Sequence, residues 1–266
     1  MSLHEQDFVQ AFQKLGIPRE APVLAHASLS AFPGAEEGAA TLVGALLHEY
    51  RTVVMPAFTY QTMLIPETGP QGNGITYGSG RDLNRMAVFF APDLPADRMM
   101  GEVAEALRTH PGASRSDHPI LSFAGVGAEQ ILAAQPPGSP LTPIGKMLEM
   151  EGWVLLLGVN QTVNTTLHYA EQRAGRKQFI RWALTRYGVE ECRNFPGCSD
   201  GFEAIAPYIE MVTRRALVGE GRIQAVPMKE LVERACQYIQ ADPLGLLCSR
   251  PDCERCNAVR EAVGKR

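Results

Sequence analysis

Several motifs that mark large enzyme classes are missing from this sequence. It has no G-x-x-x-x-G-K-[ST] phosphate loop, no G-x-G-x-x-G after a strand and no H-E-x-x-H pair of metal ligands. The first two absences disfavour an enzyme driven by a nucleotide and an enzyme that uses a nicotinamide cofactor, because both hold phosphates on such glycine-rich turns.

Basic residues and long apolar runs are also scarce. With 25 Lys and Arg against 29 Asp and Glu, the net charge is −4, so no basic excess is available to neutralise a nucleic acid. No apolar run reaches the roughly 18 residues that span a bilayer, and residues 1–16 are typical of an amphipathic helix rather than a signal peptide. We therefore expect a cytoplasmic protein with neither a nucleic-acid nor a membrane partner. The oligomeric state stays open, with a homodimer as one option.

Cysteine is absent before Cys192, and all six cysteines lie from that position onward. A disulfide framework would be spread more widely, so we expect reduced thiols. Cys248, Cys253 and Cys256 supply three of the four thiolates of a tetrahedral zinc site, and Cys198 or Cys192 could supply the fourth across space. Our primary prediction contains no metal. The alternative is a structural zinc ion at Cys198, Cys248, Cys253 and Cys256 rather than incidental thiols near a helix end.

Apolar runs of strand character alternate along the chain with segments of helical period. Strands are expected at 23–26, 52–58, 120–126, 153–159, 177–187 and 223–226. Helices are expected at 3–16, 37–50, 99–109, 127–134, 143–151, around residue 168, at 207–217, at 227–239 and near the C-terminus, with a long loop at 59–98. This order predicts a single α/β domain with a mixed central β-sheet flanked by helices on both faces. Residues 1–242 would form the domain, and residues 243–266 a cysteine-containing tail packed on it.

The most informative stretch is Leu155–Glu171, LLLGVNQTVNTTLHYAE. A buried strand ends at Gly158, a polar loop follows, and a helix carries His168 and Glu171 at i, i+3 spacing, so that the imidazole and the carboxylate share one face. A carboxylate that binds one ring nitrogen fixes the tautomer and makes the other nitrogen a better base. A lone H-x-x-E is more often a surface pair or a satisfied core histidine, and that alternative stays open here. The position after a strand strengthens the case for a general base, because ligands of open α/β sheets bind at the carboxyl ends of strands.

Five segments, taken in order, resemble the aminoglycoside 3-N-acetyltransferase family, the antibiotic acetyltransferases that do not have the GNAT fold. They are His26–Ser30 (HASLS), Val54–Thr59 (VMPAFT), Pro111–Phe123 (PGASRSDHPILSF), Ser139–Leu141 with Gly145–Lys146, and Leu155–Glu171. Each segment alone is weakly specific, but five in the family's order across residues 24–171 are specific.

The resemblance implies an acetyltransferase that moves acetyl from acetyl-CoA to the 3-amino group of a 2-deoxystreptamine aminoglycoside, and hence a role in antibiotic resistance. Its partner would be a small cationic amine. His168 would remove the amine proton, Glu171 would orient His168 and stabilise the imidazolium, and no covalent acyl-enzyme would form. The tetrahedral oxyanion needs a donor, and the options are N–H groups or hydroxyls near Asn164, Thr165 and Thr166.

The cosubstrate and the acceptor each need a binding site. The residues expected to bind CoA are Ser28, Leu29 and Ser30, which would hold the diphosphate as the matching segment does in the family, with Ser114, Arg115, Ser116, Ser122, Phe123 and Thr165. A polycationic acceptor favours carboxylates and an aromatic ring, and Tyr60, Asp200 and Glu203 lie on irregular segments suited to face a cleft. An ordinary cap, core or surface role is the alternative for each of them.

Three other functions stay open on the sequence alone. The acceptor could be a biosynthetic amine rather than an antibiotic. The dyad could instead activate water to hydrolyse a CoA thioester. In a different class of function, the cysteine tail would be the active part of a zinc- or thiol-centred protein, and the α/β body would be its scaffold.

Overall fold

The computed structural model describes residues 2–136 and 138–265 of the chain. Within these residues the strands are β1 (Val23–Ala27), β2 (Val53–Pro56), β3 (Met63–Leu64), β4 (Ala113–Arg115), β5 (Phe123–Val126), β6 (Trp153–Leu157), β7 (Phe179–Thr185), β8 (Gly188–Phe195), β9 (Arg214–Val218) and β10 (Gly221–Pro227). The helices are α1 (Glu5–Leu15), α2 (Ala39–Glu49), α3 (Arg81–Met86), α4 (Glu102–Arg108), α5 (Glu129–Leu132), α6 (Thr142–Glu149), α7 (Thr165–Arg173), α8 (Ala206–Ile209), α9 (Met228–Ala241) and α10 (Glu254–Gly264). None of these helices is both long and apolar enough to cross a bilayer.

The central sheet has seven strands in the order β4–β5–β2–β1–β6–β10–β9. β1 is parallel to both β2 and β6, whereas the other neighbouring pairs are antiparallel. The register of β1 on β6, from Val23 opposite Trp153 to Ala27 opposite Leu157, brings the carboxyl ends of both strands to one edge of the sheet. β3, β7 and β8 form a second, antiparallel sheet. The predicted mixed central sheet is confirmed.

Helices cover both faces of the central sheet because the side chains of its inner strands alternate between two apolar cores. Val154 and Leu156 of β6 pack in one core with residues of α6, α7 and α9. Leu155 and Leu157 pack in the other core with residues of α1, α2 and α4. All four side chains are fully buried, which explains why the strand is continuously apolar rather than alternating.

The chain after Pro207 differs from the predicted helix over residues 207–217. α8 ends at Ile209, and Arg214–Val218 form β9, which pairs antiparallel with β10. Gly219 has a φ of 57°, the left-handed conformation favoured in a tight two-residue hairpin turn. The helix prediction is wrong because this hairpin and its backbone pairing outweigh a short apolar pattern of helical period.

Two other regions are more regular than predicted. Residues 59–98 contain β3 and α3 within the expected loop. β8, for which no strand was predicted, continues from β7 through a hairpin and pairs with it along most of its length. Only Cys192 and Phe195 of the eight residues of β8 are buried. The sequence of β8 therefore lacks the apolar run that indicates a buried strand.

The loops that follow β1 and β6 are in direct contact. Gly158 has a φ of 68°, and a Cβ at this position would lie 2.1 Å from the Cβ of Ala31. Glycine is therefore required on both conformational and steric grounds. This close packing fixes the turn after β1 against the loop that leads to His168.

The C-terminal helix packs on the rest of the protein. Ala258 and Val259 of α10 are buried in the core that also holds residues of α7 and α9. This contact describes how residues 243–266 are attached. The boundary between a domain at 1–242 and a tail at 243–266 stays a prediction.

Truncating a central strand tests this account of the core. Leu155→Ala truncates a fully buried side chain of β6, the strand between β1 and β10. We expect it to lower the free energy of unfolding by about 2–5 kcal/mol. Leu217→Ala, at a position that is 65% exposed on β9, is the matched control and should change it by less than about 0.5 kcal/mol. Denaturant unfolding measures both, and equal effects would contradict the two-core arrangement.

Candidate active site

A cavity of about 1280 Å³ opens at the carboxyl end of β1. Its wall is formed by the loops after β1, β2 and β6, by the first turns of α4 and α7, and by the loop after β8. Seven of the residues predicted from sequence line it: Ser28, Leu29, Ser30, Tyr60, Thr165, His168 and Asp200. The volume is sufficient for a drug-sized ligand.

His168 and Glu171 form the predicted pair. The Nδ1 atom of His168 lies 2.8 Å from Oε2 of Glu171, and the Glu171 side chain is 2% exposed. The imidazole also meets the ring of Phe202 edge-on, with the centroids 4.7 Å apart. Because Nδ1 is occupied by the carboxylate, Nε2 is the ring nitrogen that remains for a ligand in the cavity.

Arg176 is a member of this network that the sequence did not reveal. Its Nη1 donates to Oε1 of Glu171 at 2.8 Å, and its Nη2 donates to the carbonyl oxygens of Pro243 and Gly245 at 3.0 and 2.6 Å. The guanidinium balances a carboxylate that would otherwise be buried as an unpaired charge. The spacing of five residues from Glu171 crosses the end of α7, so no helical pattern indicates the contact.

The start of α7 is set by an asparagine cap. Oδ1 of Asn164 accepts from the N–H of Thr166 at 3.1 Å, and Nδ2 of Asn164 donates to Gln161 at 2.8 Å. Asn164 and Thr165 line the cavity, whereas Thr166 does not. Of the three residues considered as oxyanion donors, Thr165 therefore combines a cavity position with a hydroxyl not used in the cap.

The turn after β1 presents hydroxyls to the cavity. The hydroxyls of Ser28 and Ser30 lie 2.8 Å apart. The backbone N–H of Ser28 donates to the carbonyl of Leu157 at 2.9 Å. One of the two hydroxyls donates to the other, so the second hydroxyl and the N–H groups of Leu29 and Ser30 remain as donors for a ligand. The segment before α4 approaches the same turn, since a Cβ on Gly101 would lie 3.5 Å from the carbonyl oxygen of Ala27.

The predicted group around Arg115 does not line the cavity. Arg115 donates to the hydroxyl of Ser122 at 3.0 Å and to the carbonyl oxygens of Ala57 at 2.7 Å, of Pro92 at 3.2 Å and of Leu94. Burial lowers its pKa to about 10, which leaves it charged at neutral pH. The guanidinium thus holds loop carbonyls together.

The neighbours of Arg115 are likewise occupied inside the protein. Ser116 exchanges hydrogen bonds with the backbone of Phe123, and Phe123 is fully buried against Phe58. Ser114, on the edge strand β4, is absent from the cavity wall too. These residues brace the sheet edge behind the cavity.

Two of the three residues predicted to bind the acceptor lie in the cavity wall, and the third does not. Tyr60 and Asp200 line the cavity, and burial raises the pKa of Tyr60 to about 12, which keeps its phenol neutral and able to donate. Asp200 forms an ion pair with Arg250 at 2.9 Å. Glu203 is not in the wall; its carboxylate accepts from the backbone N–H of Gln161 at 2.8 Å and so holds the loop after β6.

Charged residues that were not predicted also line the cavity. Asp97, Glu102 and Glu105 contribute carboxylates, and Arg98 and Arg255 contribute cations. Glu105 is already paired with Arg108. These residues come from the segment before α4, from α4 itself and from α10, and only the folded chain brings those segments to the same cavity.

The letters G-x-S-x-G occur at Gly197–Gly201, in the loop after β8. A nucleophile elbow requires a strand, a sharp turn and an α-helix. Here Ser199 is followed by a short 3-10 turn at Phe202–Ile205, and the strand before it belongs to the small antiparallel sheet. Ser199 lines the cavity, but its backbone setting is not that of an α/β-hydrolase nucleophile.

His26 gives the protein a specific sensitivity to acid. It is 6% exposed, its Nε2 has no hydrogen-bond partner among the described residues, and burial lowers its pKa from 6.5 to about 3. Between these pH values the unfolded chain binds a proton that the folded chain does not, so stability falls as the pH is lowered through 6.5.

Replacing His26 should remove this contribution. We expect His26→Gln to reduce the pH dependence of the unfolding free energy between pH 6 and 4 by up to about 1.4 kcal/mol per pH unit. Met55→Ala, at another buried cavity position, should lower stability at every pH and keep the wild-type slope. Urea titrations at a series of pH values measure this, and an unchanged slope in His26→Gln would show that His26 does not titrate in this way.

Comparison with known proteins assigns the chain to a family. The model of the aminoglycoside 3-N-acetyltransferase family matches residues 24–240. The prophage-derived aminoglycoside N(3′)-acetyltransferase-like protein YokD of Bacillus subtilis is 31% identical over 186 residues, 66% of this chain and 67% of that protein. Aminoglycoside N(3)-acetyltransferase III of Acinetobacter baumannii is 28% identical over 261 residues, 87% of this chain and 89% of that protein.

Solved structures agree with this assignment. The apoenzyme of aminoglycoside acetyltransferase AAC(3)-IVa superimposes with a TM-score of 0.78 at 25% identity, covering 98% of each chain. The family match spans the cavity wall from β1 through the loop after β8, as well as His168 and Glu171. The chain therefore belongs to the aminoglycoside 3-N-acetyltransferase family and is an acyltransferase.

Proposed function

We propose that this enzyme transfers an acetyl group from acetyl-CoA to the 3-amino group of a 2-deoxystreptamine aminoglycoside, with His168 as general base. The observation that carries the proposal is the position of His168 in the cavity wall with Nδ1 held 2.8 Å from a buried carboxylate. A His-to-Ala mutant of the relative AAC(3)-IVa has been solved in complex with a gentamicin, at 25% identity and a TM-score of 0.78. That structure supports an aminoglycoside as the acceptor.

An ammonium has no lone pair with which to attack a thioester, so the acceptor first loses one proton to solvent and reacts as the neutral amine. A base is then required because the nitrogen becomes positively charged as it attacks and must lose a second proton. The neutral amine attacks the acetyl carbonyl, a C–N bond forms, and His168 takes the proton from nitrogen at Nε2. When the C–S bond breaks, the CoA sulfur leaves as a thiolate and receives that proton. The acetyl group passes directly between substrates, so no acyl-enzyme is needed.

Glu171 and Arg176 position the base. The carboxylate accepts a hydrogen bond from Nδ1–H, which leaves Nε2 as the unprotonated ring nitrogen, and it stabilises the imidazolium formed during transfer. Arg176 holds the second carboxylate oxygen at 2.8 Å and so fixes the direction in which Glu171 faces His168. Thr165, next to the base in the cavity wall, is the proposed donor to the tetrahedral oxyanion.

The turn after β1 is the proposed CoA site. The hydroxyl of Ser28 or Ser30 that does not donate to the other, and the N–H groups of Leu29 and Ser30, are donors for phosphate oxygens. Arg98, exposed in the neighbouring segment before α4, supplies a cation. A relative of the same fold, AAC-IIIb, has been solved as a binary complex with CoASH, at 23% identity and a TM-score of 0.72.

The acceptor would lie between the CoA turn and the loop after β8. Asp200, Asp97 and Glu102 offer carboxylates to a polycation, and the ring and hydroxyl of Tyr60 suit a sugar face. Glu203 contributes through the loop that it holds. The chemistry of these residues selects a cationic amine, and an antibiotic or a biosynthetic amine would satisfy it equally in charge.

Thiol release from acetyl-CoA tests the reaction and the base together. With a panel of aminoglycosides, we expect the wild-type enzyme to release CoA thiol only when an acceptor is present. His168→Ala should lower turnover by about 10²–10⁴-fold and leave the dissociation constant of acetyl-CoA nearly unchanged. His48→Ala, on the exposed face of α2, is the matched control and should keep full activity.

The other outcomes each overturn part of the proposal. Thiol release without an acceptor would indicate thioester hydrolysis. Binding of acetyl-CoA without release on any aminoglycoside would indicate a different amine. Full turnover in folded His168→Ala would remove His168 as the base, and absence of acetyl-CoA binding would leave the zinc- or thiol-centred scaffold as the alternative.

Glu171→Gln separates the carboxylate from the base. The substitution keeps the shape of the side chain but removes the charge that orients and stabilises the imidazolium, so we expect kcat to fall by at least about tenfold and the pH–rate profile to change. Glu129→Gln, at an exposed position on α5, should match the wild type. An unchanged pH–rate profile and kcat in folded Glu171→Gln would contradict the dyad.

A further inference from the structure

Four cysteines converge beside the cavity although they come from two stretches of the chain that lie far apart in sequence. Cys198 follows β8, Cys248 follows α9, and Cys253 and Cys256 lie at the start of α10. Their sulfur atoms all lie within 4.8 Å of one another, and all four side chains are buried. Cys192, the other residue considered for the fourth position, is instead buried in the main core with the strands of the second sheet.

We infer that these four thiolates bind one zinc ion. A tetrahedral zinc site with Zn–S bonds of about 2.3 Å places its sulfur atoms roughly 3.8 Å apart, within the spacing seen here. A disulfide joins two sulfurs at about 2.05 Å and leaves the others aside, and all four cysteines are free thiols in the structure. The convergence of four thiols at one point is what a tetrahedral metal requires.

The surroundings favour the thiolate form. Cys253 is the N-cap of α10 and Cys256 lies in its first turn, where the partial positive charge of the helix N-terminus stabilises an anion. Nη2 of Arg250 lies 4.0 Å from the sulfur of Cys198. Four thiolates and one Zn²⁺ carry a net charge of about −2, which this guanidinium and the helix terminus partly offset.

The four cysteines themselves have few apolar neighbours. Residues 242–253 contain no strand or α-helix, and the only partly buried apolar side chain packed on the four cysteines is that of Leu247, counting the described residues. The loop after β8 and the loop after α9 nevertheless touch backbone to backbone, since a Cβ on Gly201 would lie 2.5 Å from the carbonyl carbon of Leu247. A metal ion supplies the cross-link that this small apolar contact does not.

The proposed ion would fix one wall of the cavity. Gly197, Ser199 and Asp200, which flank Cys198, line the cavity, and so does Arg255, which lies between Cys253 and Cys256. Nη1 of Arg255 donates to the carbonyl of Gly197 at 3.0 Å, so the two cysteine-bearing segments also meet at the cavity. With four protein ligands the metal has no open position, and its role is structural rather than catalytic.

Metal analysis of the purified full-length enzyme tests this inference. Elemental analysis should find one zinc ion per wild-type chain. Cys198→Ser, Cys248→Ser, Cys253→Ser and Cys256→Ser should each reduce the zinc content severalfold or more. Cys192→Ser and Cys236→Ser, which alter the two cysteines outside the site, are matched controls and should retain the full zinc content.

A measurement on the wild type decides the question if the variants do not fold. Modification of the thiols should release zinc to a chromogenic chelator in a one-to-one ratio with protein. Replacement by Co²⁺ should give the visible spectrum of a tetrahedral tetrathiolate. Wild-type protein that contains no metal and has six titratable thiols, that holds iron instead of zinc, or that has disulfides among these cysteines would overturn the inference. These readouts use no substrate, so failure of the acetyl-transfer proposal would not affect them.

Discussion

The buried carboxylate of Glu171 is the group on which the arrangement of the active site depends. Removing a carboxylate from water costs several kcal/mol unless its charge and both oxygens are satisfied. Here His168 meets one oxygen and Arg176 the other. Arg176 in turn donates to the carbonyls of Pro243 and Gly245, so the same charge that orients the imidazole also links α7 to the first residues of the cysteine-containing tail.

The proposed reaction requires the cavity to accept two substrates of opposite charge. CoA carries phosphates, and an aminoglycoside carries several ammonium groups. The wall contains both signs, with Arg98 and Arg255 as cations and Asp97 and Glu102 as anions. In the proposed reaction, the hydroxyls and backbone donors of the turn after β1 would bind the phosphates, and the wall carboxylates would bind the ammonium groups, so that one cavity would hold both substrates near a single base.

The sequence indicated strongly those elements whose signal is local. β6 is a continuous apolar run, and Asn164 caps α7 directly after a 3-10 turn. The strand, the loop and the helix can therefore each be recognised from the local sequence. The helix over residues 207–217 was predicted wrongly because β9 is stabilised by pairing with β10, a contact that apolar period alone does not reveal. β8 was not predicted because a largely exposed strand of the second sheet has no apolar run.

The chain by itself determined the α/β class, the family and the juxtaposition of His168 with Glu171, because i, i+3 spacing on a helix is a local property. Tertiary structure decided which other residues share the cavity. Arg115 was a reasonable phosphate ligand by composition, yet its donors are taken by Ser122 and by carbonyls of distant loops. Arg176 reaches Glu171 beyond the end of the helix, and Cys198 rather than Cys192 joins the three tail cysteines. These outcomes depend on how separate segments pack, which no spacing along a single segment encodes.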